Sequence, residues 1–299
     1  MAKIPDITIF SREAGEPLRA TAPQAGIWLL LEYTKAWGEK AVAESDLPET
    51  VKAYLSAQTD ALPGARVQFI KQDEREHEGI TFFVARTGLQ QPFLYRFRLN
   101  DYEELLKLDI RAIATARSEQ TLSDEQLFLI CTNGKRDPAC SRYGLPLYRA
   151  FRELAGASVW QSDHLGGHRF AATMVCLPRG IYYGRVTPEQ ASVIVEAERS
   201  GEIALDFYRG CSAYNAPTQA AEDFLRGHTG HTAVDAFELV ELEADGDQRW
   251  RVVFRAGRQR YEIRVRAQQS EFVVYEGTHK DAPQPMTQYL IESIDMRIV

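Results

Sequence analysis

At 299 residues, with 44% hydrophobic and 26% charged residues, the chain has the composition of an ordinary globular protein and a length that favours two domains over one. Its formal charge of -7 and pI near 5.5 argue against a general nucleic-acid binder. No apolar run approaches the roughly 20 residues that cross a bilayer, and the segment 1–10 lacks the basic and long apolar regions of a secretion signal, so the expected location is cytoplasmic with no membrane partner.

In chain order, the run GIWLLLEY at 26–33 predicts a buried strand. Asp46 and Pro48 read as the cap and first turn of a helix carrying Val51, Tyr54 and Leu55, stopped by Pro63-Gly64. Strands are predicted over 66–70, 80–85 and 93–99, with a charged loop at 71–78 that holds His77, and a short helix over 101–108. A second unit opens with a strand at 126–131 that delivers Cys131 at its end. A helix over 143–154 follows, with Pro146 in its first turn, where proline is tolerated, and Gly156 at its end. A strand at 158–161 feeds Asp163-His164, and strands at 172–177 and 181–184 are split by the tight turn Pro178-Arg179-Gly180. Thr187-Pro188-Glu189-Gln190 is a capping box opening a helix with Val193, Ile194 and Ala197.

Both units read β-α-β-β-β-α, the pattern of a thioredoxin-like fold. The expected class is α/β with mixed sheets, repeated in structure and not in sequence, and the first copy has no cysteine. Residues 206–230 read as a linker with a helix at 217–226. The rest reads as β-rich: strands at 237–242 and 249–254 flank the hairpin signal Asp245-Gly246, those at 261–265 and 271–275 continue the meander, and 287–296 reads as helical. The expected division is 1–115 for a degenerate thioredoxin-like unit, 116–215 for a second unit, and 216–299 for a linker helix and a β-rich extension. No chemistry is visible in the last of these.

The chemistry concentrates in two motifs, CTNGKRDPAC at 131–140 and HLGGH at 164–168. They hold two of the four cysteines and two of the six histidines. Two thiolates and two imidazoles, Cys131, Cys140, His164 and His168, form a ligand set for zinc or for an iron–sulfur cluster. Backbone N–H groups of the loop 132–139 and of the helix start are placed to donate to sulfur. Gly166-Gly167 disfavours a helix, by about 1 kcal/mol per glycine relative to alanine, and lets the backbone pass close to a bulky cofactor. Arg169 is expected to pair with Asp163 or face the metal. Lys135 and Arg136 either guide a partner or are solvated charges. Cys176 reads as a core thiol, Cys211 as either buried or free, and His228 and His231 as surface residues.

CTNGKRDPAC, DHLGGHRFAATMVCLPRGIYYGRV and the helix after them resemble the sucrase/ferredoxin-like family, a branch of the thioredoxin-like [2Fe-2S] ferredoxins. The resemblance covers about 20–215, is densest over 125–200 and is absent from 235–299. It implies that 116–215 is a ferredoxin domain, with Cys131 and Cys140 on one iron and His164 and His168 on the other, as in bis-histidinyl members where His-x3-His replaces Cys-x3-Cys. Two thiolates leave the oxidised cluster neutral, so it should accept an electron more readily than an all-cysteine cluster. The analogous exchange in Rieske centres gives about -150 to +300 mV against about -400 mV. Imidazole N–H groups further imply coupled proton transfer, which a pH-independent potential would refute.

The expected function is therefore electron transfer, not self-contained catalysis, and no catalytic residue is assigned. No G-x-G-x-x-G fingerprint is present, so the partners would be a separate redox donor and acceptor. The alternatives are a structural zinc protein with the same four ligands, an iron–sulfur redox sensor and, without a C-x-x-C, the weaker case of a thiol oxidoreductase.

Overall fold

The computed structural model describes residues 6–74, 78–117, 122–280 and 282–298; His77 and the first five residues of the N-terminal segment lie outside them. A short helix, α1 (Ile7–Glu13), begins at Asp6, whose carboxylate accepts from the Thr8 amide. The first unit follows as β1 (Ile27–Glu32), α2 (Glu49–Ala61), β2 (Ala65–Lys71), β3 (Ile80–Arg86), β4 (Phe93–Leu99) and α3 (Ile110–Thr115). Pro48 takes the N-cap position of α2 without a side-chain bond, while Asp46, read as a cap, accepts from the Tyr33 hydroxyl. The helix expected over 101–108 is the 3-10 turn Tyr102–Lys107.

The second unit runs β5 (Leu127–Cys131), α4 (Pro138–Ala155), β6 (Val159–Ser162), β7 (Met174–Leu177), β8 (Ile181–Tyr183) and α5 (Ala191–Ser200). Helix α4 starts five residues earlier than expected, because Asp137 caps it and Pro138 occupies its first position; Pro146 is thus inside the helix. The capping box at Thr187 and Gln190 is formed. The segment read as the start of a linker supplies a further strand, β9 (Tyr208–Cys211), before α6 (Ala216–Thr229).

In each unit the first two strands are parallel and the third is antiparallel to the first, giving the orders β4-β3-β1-β2 and β6-β5-β7-β8. This is the thioredoxin-like arrangement. The units meet where β2 pairs antiparallel with β6 over Ile70↔Ser162 and Lys71↔Gln161, making one nine-stranded mixed sheet that ends in β9. The sheet is curled. Trp28 of β1 and Tyr182 of β8 stand five strand spacings apart in the order, about 24 Å on a flat sheet, yet their rings are 6.2 Å apart. Curling explains the continuous apolar runs: Leu29 and Leu31 pack on Val51 and Leu55 of α2, while Trp28 and Leu30 fill an inner layer with Leu129, Val175 and Tyr182.

The extension is an antiparallel sheet of β10 (Glu238–Ala244), β11 (Arg249–Ala256), β12 (Gln259–Val274) and β13 (Gln284–Ile298). Its inner face buries Val252, Phe254, Ile263 and Val265 with Ala221 and Leu225 of α6. The helix expected over 287–296 is thus a strand. A bulge at Glu292 puts Ile291 and Ile294 on the same side, three residues apart, which mimics helical spacing. The two strands expected at 261–265 and 271–275 are one, β12, interrupted by a register shift between Gln269 and Val273. Among the described residues no helix is long and apolar enough to cross a membrane.

Candidate metal centre

Cys131 ends β5, where its amide donates to the Thr173 carbonyl, and Cys140 lies in the first turn of α4; both are buried. The loop between them is short because it is tied internally. Asn133 Oδ1 accepts from the amides of Lys135 and Arg136, and Asp137 Oδ1 accepts from the Ala139 amide. Helix α4 then crosses the end of β5 at Gly144, where an added Cβ would lie 2.0 Å from the Cys131 carbonyl oxygen. Only glycine allows that approach, and the approach brings the two thiols together.

His164 follows β6. The guanidinium of Arg66, lying over the Trp28 ring, donates to the carbonyls of His164 and Leu165 and pins this turn. His164 Nδ1 is 3.9 Å from Cys131 Sγ and 3.7 Å from Cys140 Sγ. Among the described residues, these three form the one group of His, Cys, Asp or Glu donors near enough to hold an ion, all within 4.8 Å of one another. His168 opens the 3-10 turn His168–Phe170, and its ring stacks on His164 with centroids 5.1 Å apart. It does not come within 4.8 Å of all three other donors. Its Nε2 bonds to the carbonyl of Glu276, and its Nδ1 is buried with no hydrogen-bond partner. The structure thus gathers all four predicted residues, three tightly and the fourth stacked beside them.

The electrostatics suit ligation. A hydrogen bond from Cys140 holds the Cys131 thiol well below its usual range against the cost of burial, and the same bond, with burial, pushes the Cys140 thiol up. Burial lowers His168, with Asp137 pulling the other way, so the imidazole is neutral at neutral pH and keeps a lone pair. Under the histidine loop lies Arg209, 1% exposed, which donates to Thr21 Oγ1, the Thr21 carbonyl and the Gly166 carbonyl. Among the described residues no carboxylate sits within ion-pair distance of it. Desolvation lowers Arg209 to about 9, still protonated at pH 7. Gly167 is required here too, since its Cβ would lie 2.4 Å from Arg209 Nη2 and its φ is +74°.

Other expectations are redirected. Arg169 pairs with the buried Glu16 at 2.8 Å, not with Asp163. Asp163 is buried with Oδ1 unpartnered, and burial raises its carboxyl well above the usual range. Arg136 pairs with Glu39 at 3.1 Å. Cys176 and Cys211 are both buried, and His228 and His231 are exposed, stacked on Phe224 and edge-on to Phe237. Sequence reasoning missed Arg209, Glu16 and the segment 276–278. Thr278 donates from its amide and its hydroxyl to Asp137 Oδ2, so the extension reaches the centre after all. A cleft of about 450 Å³ opens there, lined by Arg136, His168, Arg169, Glu276 and Lys280 among others.

Comparison with known proteins adds three findings. The model of the family described as "Sucrase/ferredoxin-like" matches residues 18–210. The protein of Meyerozyma guilliermondii called "Altered inheritance of mitochondria protein 32" is 32% identical over 148 residues, 45% of this chain and 51% of that one. Its namesake in Clavispora lusitaniae is 33% identical over 101 residues, 31% of this chain and 37% of that one. The chain therefore spans about half or less of the length of these curated relatives. The solved structure of a thioredoxin-like [2Fe-2S] ferredoxin from Aquifex aeolicus is 19% identical, with a TM-score of 0.26, covering 29% of this chain and 91% of that one.

Proposed function

The chain belongs to the sucrase/ferredoxin-like family, and from that premise we propose that it is an electron-transfer protein in which Cys131 and Cys140 hold one iron of a [2Fe-2S] cluster and His164 and His168 the other. The observation that carries this reading is the buried, unpartnered Nδ1 of His168 beside three converging donors. A buried polar atom left unpaired costs about 1–3 kcal/mol, and a metal bond would remove that cost. When bound, the cluster would supply one-electron chemistry. The chain's own residues keep Cys131 towards thiolate, hold His168 neutral, and place the cation of Arg209 under the loop, where it favours added negative charge. The cleft at His168 gives a redox donor or acceptor an approach. We take 116–215 as the ferredoxin domain, 1–115 as its degenerate counterpart and 216–299 as an extension. We take the compartment to be a reducing one, the cytoplasm, in which the two cysteines outside the proposed ligand set, Cys176 and Cys211, stay free thiols.

A structural zinc site is the second reading. The observation in its favour is that, among the described residues, only Cys131, Cys140 and His164 converge as if on a single ion. A visible spectrum of anaerobically purified protein, with iron, acid-labile sulfide and zinc quantified on the same sample, separates the two. About two irons and two sulfides per chain are expected. A colourless protein with about one zinc and no sulfide, even after reconstitution, would overturn the cluster.

A further inference from the structure

We propose that residues 276–278, in the connection between β12 and β13, form a positioning clamp for His168, which makes the C-terminal sheet part of the metal centre. The inference rests on the reading of His168 as a ligand and goes beyond it by assigning a role to a region outside the family match.

Three contacts carry the argument. The carbonyl of Glu276 bonds His168 Nε2. A carbonyl only accepts, so Nε2 carries the hydrogen and the lone pair is left on Nδ1, the buried atom with no partner. The clamp thus selects the nitrogen that meets the metal. A carbonyl behind a ligating imidazole also raises its basicity and fixes its ring plane.

Gly277 lies close against the same ring, and an added Cβ would sit 2.8 Å from Nε2 and 3.3 Å from Cε1. Its φ is outside the left-handed region, so this glycine is needed for space and not for backbone freedom. Thr278 closes the clamp on the other ligand loop. Its amide and hydroxyl donate to Asp137 Oδ2, while Asp137 Oδ1 caps the helix turn that bears Cys140. One short segment therefore fixes a histidine directly and a cysteine through its cap. The segment is itself anchored: Val274 before it is fully buried, and Tyr275 meets Phe10 edge-on at 5.2 Å.

The test uses the full-length, cluster-loaded protein and its Gly277→Ala variant. Gly227→Ala is the control, since its Cβ meets open space on α6. Iron release to a ferrous chelator, nitrogen hyperfine couplings of the reduced protein by pulsed EPR, the reduction potential and the melting temperature are measured together. Gly277→Ala should release iron roughly 10–100-fold faster, as when the group behind a ligand is lost. It should also show altered nitrogen couplings and a shifted potential without a lower melting temperature, and Gly227→Ala should match the parent in iron release, couplings and potential while melting no lower, as expected for alanine in place of a helical glycine. Should Gly277→Ala fail to fold, Thr278→Val and Thr278→Ser take its place. Valine removes the hydroxyl donor to Asp137 and should speed iron release, and serine keeps it and should not. A loaded parent whose variants keep its couplings, potential and release rate overturns the clamp alone. A parent without iron and sulfide overturns the cluster reading instead.

Discussion

The two halves of the curled sheet build the same corner in two ways. In the first half, β1 gives way to Tyr33, whose hydroxyl donates to Asp46, whose ring stacks on Phe69 at 4.6 Å, and beside which Lys35 pairs with the same carboxylate. In the second half the strand ends at Cys131, and the loop is tied by Asn133 and Asp137 before the helix delivers Cys140. The first corner holds its shape without a single metal ligand. The second has its own hydrogen bonds and carries two of the proposed ligands, Cys131 and Cys140, in addition. The comparison teaches that hydrogen bonds and ring stacking can shape this corner by themselves, which is the point on which the cluster and zinc readings part.

The largest expected effect breaks the comparison outright if it is wrong. Cys131→Ser or Cys140→Ser should lose all iron and sulfide and still melt in one cooperative transition, seen by circular dichroism. A chain that unfolds on losing metal would be a stapled one. The converse change lies in the first half. Leu55→Ala, at a fully buried position of α2, should cost about 2–5 kcal/mol in denaturant titrations while iron content per folded chain stays constant.

Acid response should also separate the halves. Burial pushes the Glu198 carboxyl of α5 up to about 7, against the pull of Arg179. Between the unfolded value and about 7 the native chain holds a proton that the unfolded chain has released, so stability falls as pH rises through that window. In the cluster-free Cys131→Ser background, Glu198→Gln should flatten this slope, a difference on the order of 3 kcal/mol. Equal slopes in urea titrations at pH 4.5 and 7.5 would remove Glu198 from the account. The smallest effect sharpens the site. Arg209→Met deletes a buried positive charge under the histidine loop and should lower the reduction potential with the cluster still bound; an unchanged potential would mean that this cation is only structural.

Much of the site was legible because its signals are local. A strand-end cysteine, a helix-start cysteine and a glycine-flanked histidine pair each follow from neighbours in sequence. The repeated order of elements was readable for the same reason. What stayed hidden is non-local. Arg169 finds Glu16 across 153 positions, and a charge carries no address. The role of Glu276 is played by a backbone carbonyl, which every residue has. The last strand was read as a helix because a single bulged residue, Glu292, shifts its phase. The start of α4 is different, for Asp137-Pro138 is a local cap signal that lies within what the sequence reading takes as the loop 132–139.

The bond from His168 to Glu276 spans 108 positions of chain, and that sets a timetable. During synthesis both cysteines and both histidines leave the ribosome long before Glu276, whose carbonyl bonds the last of them. On the proposed reading, a nascent chain at that stage would hold all four donors without the carbonyl that orients the imidazole of His168. Loading of the centre would then await the finished polypeptide and be a post-translational event.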